Sequence, residues 1–300
     1  MRLIPETNID FVGKRRVFFA VSSLLVLASI AALVFIGIRW GVDFTGGSRF
    51  QVHFEKPVKL EAMRAALTGA GIAGATIQQD QSGDFILRVG ATGGESENEA
   101  VRQRVEELLR SAFVDNPPDI SVDAVGPQVS RELRGRVLLA VGLGLLAILI
   151  YVSFRFDLRF GTGAVLSLIH DALIAVGFVV LFQHEVTITI VAALLTVIGY
   201  SVNDSIVVSD RIREDLRKMR KEPFDVVVNR AINQTLGRTA ITSLTLLLVS
   251  LALLFLGAAS IRDFALIMTV GTVVGTYSSV GVVANFVVEW ERRFPSRHRR

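Results

Sequence analysis

Residues 160–182 read FGTGAVLSLIHDALIAVGFVVLF. As a helix rising 1.5 Å per residue, these 23 residues cover the roughly 30 Å of hydrocarbon in a bilayer. Near the middle of the run stand His170 and Asp171. An ionisable group at that depth costs about 2.5–3.5 kcal/mol on insertion scales, so it is kept where it faces protein or water. The stretch predicts a transmembrane helix with a polar face, on which Gly163, Ser167, His170 and Asp171 recur at i, i+4, i+7 and i+8.

Five further apolar runs accompany it: Val17–Ile38, Val137–Phe154, Val186–Val208, Thr239–Gly257 and Phe264–Val288. The first is too long for the apolar core of a signal peptide, and the following RWGV at 39–42 lacks a small-residue cleavage site. It reads as an uncleaved anchor. Composition agrees: 51% of the chain is apolar, 20% is charged, and the mean hydropathy is +0.51. Disorder and collagen are excluded, and a purely soluble enzyme is disfavoured. A net charge of +4 over 300 residues gives no argument for nucleic acid. The chain has no Cys, which removes disulfides and thiolate chemistry, and His53, His170, His184 and His298 have no metal-ligand spacing. No metal, cofactor or catalytic constellation is expected.

Lys and Arg in the short flanks set orientation. Nineteen lie in residues 1–16, 155–159, 209–238 and 289–300, whereas the opposite short loops hold only Arg262. Both termini are expected in the cytoplasm: residues 1–16 as a cytoplasmic N-terminus, 17–38 as the first span, 137–288 as spans two to six, and 289–300 as a basic tail. The intervening residues 39–136 are expected outside. Their pattern is β-α-β-β-α-β: strands at Ser48–Phe54, Ala75–Asp80, Asp84–Gly90 and Ile120–Val125, and helices at Leu60–Gly71 and Glu95–Phe113. That order predicts a ferredoxin-like α+β domain. Leu67, Val101, Val105 and Leu108 are its expected helix core, with Ala112 on the same face, and His53 is expected on a strand surface.

The fourth span carries Thr196, Tyr200, Asn203 and Asp204 at helical spacing. The fifth is read as starting at Arg238, with Thr242 and Thr245 following. The sixth places Gly271, Gly275, Ser278 and Asn285 on one face, with a GxxxG that favours close helix packing. Four spans with small or polar stripes suggest a bundle with a polar interior that conducts something. Asp204 and Arg238 both fall near the cytoplasmic end by this count, close enough in depth to pair. Plainer roles stand beside these. Asp171 and His170 serve as interhelical hydrogen bonding and packing, Arg238 as a positive-inside anchor, and Asp204 as a partner for Arg211. The charged run 210–221 then reads as a solvated helix continuing the fourth span.

The sequence LTVIGYSVNDSIVVSDRIRE at 195–214 resembles the signature of the SecF family of protein-export membrane proteins. GVDFTGG at 41–47, GPQVS at 126–130, SLIHD at 167–171 and NQTLGRT at 233–239 match the same family in the same order. The loop GAAS at 257–260 and Asp263 depart from it in an outer loop only. The resemblance implies an α-helical polytopic membrane protein: six transmembrane helices forming an RND-like half, with one extracytoplasmic ferredoxin-like domain between the first two. It implies a SecD partner and work with the SecYEG translocon, the SecA motor and YajC. Such a complex uses the proton motive force to help export unfolded polypeptide across the bacterial cytoplasmic (inner) membrane. On the matching positions, Asp204 and Arg238 take the proton-relay roles. Asp171, His170 and Asn203 are relay or structural candidates, and Gly271, Gly275 and Ser278 are packing residues. The alternatives are half of another RND-type proton-coupled transporter for lipid or solute, and a scaffold without proton conduction. An intramembrane aspartyl protease is disfavoured because Asp204 follows SVN and Asp171 follows LIH, not a Gly-x-Gly motif.

Overall fold

In the computed structural model the described residues are 7–70, 72, 75–79, 83–91, 94–155 and 157–295. The expected element ends at Gly71 and Asp80, Gln81 and Ser82 of the expected turn, and the terminal Arg2, Arg297, His298, Arg299 and Arg300 lie outside them. The chain divides into two compact units, Trp40–Ala140 and Met1–Arg39 with Val141–Arg300.

The first unit opens with a single-turn helix, α2 (Val42–Thr45), which follows α1 (Arg15–Phe35) of the second unit. It continues through β1 (Gly47–His53), α3 (Leu60–Gly69), β2 (Thr76–Gln79), β3 (Phe85–Gly90), α4 (Glu95–Ala112) and β4 (Asp119–Val125). The four strands form one antiparallel sheet in the order β2-β3-β1-β4, the ferredoxin-like arrangement. Between α2 and β1 the chain turns through Gly46 at φ 77° and Gly47 at φ 122°. A Cβ on Gly47 would lie 2.4 Å from the Val89 carbonyl oxygen, so the second glycine is dictated by close backbone approach as well as by φ.

Strand alternation separates the two faces of the sheet. Phe50, Val52, Phe85 and Leu87 point to one side and meet Met63 and Leu67 of α3 and Val105 and Leu109 of α4 in a single core. The expected face of α4 is shifted by one residue. Leu109 is fully buried, Val101 and Leu108 are only partly covered, and Ala112 is exposed. The helix therefore presents 101, 105 and 109, an i+4 ridge, rather than a face ending on 108 and 112. His53 stands exposed at the end of β1 with its Nδ1 2.6 Å from Asp84 Oδ1.

The second unit contains α1, the later part of α5 (Pro127–Arg155), α6 (Leu158–Leu181), α7 (Ile188–Lys218), α8 (Phe224–Leu256), α9 (Ala259–Ser278), a π-helical turn (Ser279–Ala284) and α10 (Asn285–Arg293). Among the described residues six helices are long and apolar enough to cross a membrane. Their limits differ from the apolar runs for identifiable reasons. The first ends at Phe35, because Gly37 adopts a φ of 80°. The second starts at Pro127, where a proline at the first helical position loses no hydrogen bond. The fourth runs on to Lys218, through the charged segment. The fifth starts at Phe224 and not at Arg238, which lies fourteen residues inside it. Exposed Leu, Val and Phe side chains line α1, α5 and α8, whereas α6 is buried along most of its length.

Two outcomes follow. Residues 40–126 should fold as a fragment, and Leu109→Ala should cost about 2–5 kcal/mol in denaturant unfolding, with Leu108→Ala clearly milder; equal losses would contradict the ridge. The hydrogen bond to Asp84 holds the His53 imidazole above its ordinary value. The stabilisation from this pair is therefore present below the unfolded pKa of about 6.5 and is lost as pH rises through the folded value. An NMR titration should place the His53 midpoint above about 6.5, and Asp84→Asn should return it there.

Candidate functional site

Helix α6 brings Asp171 to the centre of the bundle with no exposed surface. Its Oδ1 lies 2.8 Å from His170 Nδ1. Its Oδ2 accepts hydrogen bonds from Ser201 Oγ on α7 and from Ser278 Oγ on α9, the latter at 2.7 Å. Ser278 Oγ in turn accepts from Ser167 Oγ at 2.9 Å. One carboxylate thus joins three helices. Hydrogen bonds to the charged form are what make a buried carboxylate tolerable. His170 stacks on Tyr277, with ring centroids 6.2 Å apart, and its Nε2 is buried without a partner among the described residues. Tyr277 itself donates to the Phe18 carbonyl at 2.8 Å, which ties α9 to α1.

Asp204 is 2% exposed and much less well held. Ser243 Oγ on α8 donates to its Oδ2 at 3.4 Å, the long end of the hydrogen-bond range. Ser243 is fixed from the other side by Thr276 Oγ1 at 2.7 Å. Ser201 and Asp204 lie one turn apart on α7, and Thr276 and Ser278 lie two residues apart on α9. The two carboxylates therefore share one polar layer of the bundle. Asp204 is sixteen residues from the start of α7, about 24 Å along the axis at 1.5 Å per residue. It lies about one turn along α7 from Ser201, which marks the level of Asp171, and not near the helix end.

Among the described residues no ion pair within 4.0 Å joins Arg238 to Asp204, and Arg238 is exposed. The expected direct pairing is corrected by helix geometry. Arg238 precedes Ser243 by five residues, which places it about 140° around α8 from the residue that touches Asp204. Arg211 does not pair with Asp204 either; it contacts Gln234, Glu214 and Asp215. The expected stripe on α7 also divides. Thr196 and Asn203 are exposed, and the buried face is Val197, Ser201, Asp204, Ser205 and Val208. Asn203 therefore stands outside the polar layer. Tyr200 is half-buried and donates to the Thr242 carbonyl at 2.9 Å.

The small residues of α9 do pack, and within this chain. A Cβ on Gly271 would lie 2.3 Å from Val197 Cγ1, and one on Gly275 would lie 3.0 Å from Ser201 Cβ. Close approach of α9 and α7 is what carries Ser278 to Asp171. Beyond Ser278 the helix widens into the π turn. The Asn285 side chain donates to the carbonyls of Val280 at 3.3 Å and Gly281 at 3.1 Å. Such turns are frequent at functional sites.

Ser201, Ser243 and Thr276 are the site residues that sequence reading missed. Single hydroxyls in apolar helices give little signal, although Ser201 stands one turn from Asp204. Asn233, in the NQTLGRT block, serves elsewhere. With Asn229 it holds the N-terminal segment, accepting from Ile9 N at 2.8 Å while Asn229 accepts from Phe11 N at 2.8 Å. No group of three or more His, Cys, Asp and Glu that could hold a metal ion occurs among the described residues.

These features define a multi-pass membrane protein with two acidic residues buried in one layer of its spans and a ferredoxin-like domain after the first span. Residues 104–293 match the family described as protein export membrane protein SecD/SecF, C-terminal, and residues 31–58 match the SecD/SecF GG motif. The chain is 39% identical to the protein translocase subunit SecF of Endomicrobium trichonymphae, covering 97% of this chain and 94% of that one. It is 40% identical to SecF of Pseudomonas aeruginosa over 94% and 91% of the respective chains. It is 42% identical to the protein translocase subunit SecDF of Thermus thermophilus, but spans only 40% of that longer protein. A crystal structure of SecDF from the same genus, described as a translocon-associated membrane protein, superposes with a TM-score of 0.86 at 41% identity, over 96% of this chain and 39% of that one. The chain belongs to the SecD/SecF family of protein-export membrane proteins.

Gly271→Leu should break the α7–α9 contact and lower thermal stability in mild detergent by an amount equivalent to about 1–3 kcal/mol. Gly199→Ala, where a Cβ meets nothing within 4 Å, should not. Asp171→Asn should also destabilise, by about 1–3 kcal/mol, because an amide cannot accept all the donors that converge there. A wild-type melting temperature for Asp171→Asn would remove it from the structural role.

Proposed function

We propose that this chain is the SecF-type subunit of a SecD–SecF complex in the bacterial cytoplasmic membrane. There it uses the proton motive force to assist export of unfolded polypeptide through the SecYEG translocon, with SecA and YajC as further partners. Its part is mechanical coupling and not catalysis. Both termini face the cytoplasm and the ferredoxin-like domain faces outward, as the distribution of Lys and Arg favours. Relatives named as translocase subunits favour this reading over a lipid or solute half-transporter.

The observation that carries the proton role is the contrast between the two buried carboxylates. Asp171 is surrounded by donors and can remain charged in a fixed structure. Asp204, also buried though less deeply, has a single long hydroxyl contact among the described residues. A charge in that position must be met by a cation or a proton. Asp204 is therefore the group that loads and unloads a proton. Arg238 cannot release its own proton and acts by approaching or leaving Asp204 as α8 turns. Movement of one proton through about 150 mV releases roughly 3.5 kcal/mol, enough to shift a two-state bundle by more than two orders of magnitude. The domain after the first span is the element that such a shift drives.

The test is export of a reporter into membrane vesicles at fixed ATP, with and without a proton gradient. Asp204→Asn should retain assembly with the SecD-type partner and lose the gradient-dependent increment. Arg238→Lys should reduce the increment, because a point charge does not reproduce the planar guanidinium. If Asp204→Asn keeps the full increment in an intact complex, Asp204 is not the proton carrier and a scaffold role replaces it.

A further inference from the structure

The end of the bundle where α1 starts and α10 ends holds a cavity of about 710 Å³ between these two helix ends. Arg15, Arg16, Arg292 and Arg293 line it, with Glu289 as its one acidic residue. Glu289 is shared by Arg293, at 3.1 Å, and Arg15, at 3.9 Å. Arg292 pairs with Asp225. Arg16 is exposed and has no ion-pair partner among the described residues. The two acids leave a surplus of two positive charges on the four arginines.

The apolar part of the lining is arranged by depth. Phe19 lies three residues inward from Arg16, and Trp290 three residues inward from Arg293. At 1.5 Å per residue the aromatic rings begin about 4.5 Å closer to the hydrocarbon than the guanidinium groups. Trp290 continues an aromatic column with Phe286 and Phe294, at centroid distances of 5.6 and 5.7 Å. Apart from Phe294, which stands just beyond Arg293, the cations lie outside and the rings one turn or more inside, the order in which a phospholipid presents its phosphate and its acyl chains. A free phosphate would use the arginines and leave the aromatic layer without a role.

We propose that this cavity binds an anionic membrane phospholipid, with the arginines on its phosphodiester headgroup and Phe19 and Trp290 against its upper acyl chain. The bound lipid bridges the first and last membrane helices, both of which pack on α6.

Trp290 offers a direct readout, since the chain has two tryptophans and Trp40→Phe leaves one. The full chain carrying Trp40→Phe is reconstituted in phosphatidylcholine vesicles. Its fluorescence is titrated with chain-brominated phosphatidylglycerol or chain-brominated phosphatidylcholine. Trp290 should be quenched with roughly tenfold preference for the anionic lipid. Arg16→Gln, at an exposed position with no ion-pair partner among the described residues, should reduce the preference, and Arg16→Gln with Arg293→Gln should bring it near unity. Arg217→Gln with Arg220→Gln, exposed on α7 and beyond it and outside the cavity, should leave it unchanged. No preference in the parent, an equal loss in the α7 control, or displacement by inorganic phosphate at matched ionic strength would each overturn the proposal.

Discussion

A carboxylate with no exposed surface, in the apolar middle of a helical bundle, must be met by donors, and Asp171 draws them from three helices. Most of the bundle follows from this requirement. Ser201 and Ser278 reach one oxygen only if α7 and α9 approach closely. They do so because Gly271 and Gly275 leave room for Val197 and Ser201. Ser167 then closes the ring from α6 itself. The polar residues and the small residues are thus one device seen from two sides, with glycines setting the distance and hydroxyls using it.

The same layer treats its second acid differently. Asp204 sits one turn along α7 from Ser201, yet among the described residues it accepts a hydrogen bond only from the Ser243 hydroxyl, which Thr276 already engages. Its natural countercharge, Arg238, stands on another face of α8 and is exposed. The two buried acids are thus held unequally, Asp171 by three close partners and Asp204 by one long contact among the described residues.

Much of this was legible in the sequence. Span number, the ferredoxin-like strand order and the buried acids follow from apolar run length, alternation and the cost of charge in hydrocarbon. Three features were not. The ridge of α4 was misplaced by one residue, since Leu108 and Leu109 are both apolar and only packing chooses between them. Apolarity places the start of the fifth span at Arg238, but helix α8 begins fourteen residues earlier, in a polar stretch whose Asn229 and Asn233 are occupied by the N-terminal segment. Depth alone suggests the pairing of Asp204 with Arg238, and depth says nothing of the azimuth around a helix, which leaves Arg238 near enough to act on Asp204 through its charge but not in ion-pair contact.

The central claim is that Asp204 changes protonation state while Asp171 stays a fixed, hydrogen-bonded carboxylate. Infrared difference spectroscopy of the reconstituted complex, recorded across a pH step, reads this directly through the carboxylic-acid C=O stretch. The account predicts one buried carboxylic-acid band that appears and disappears with pH, is absent in Asp204→Asn, and persists in Asp171→Asn. A titrating band that survives Asp204→Asn and vanishes in Asp171→Asn would contradict the assignment and transfer the proton to the other acid.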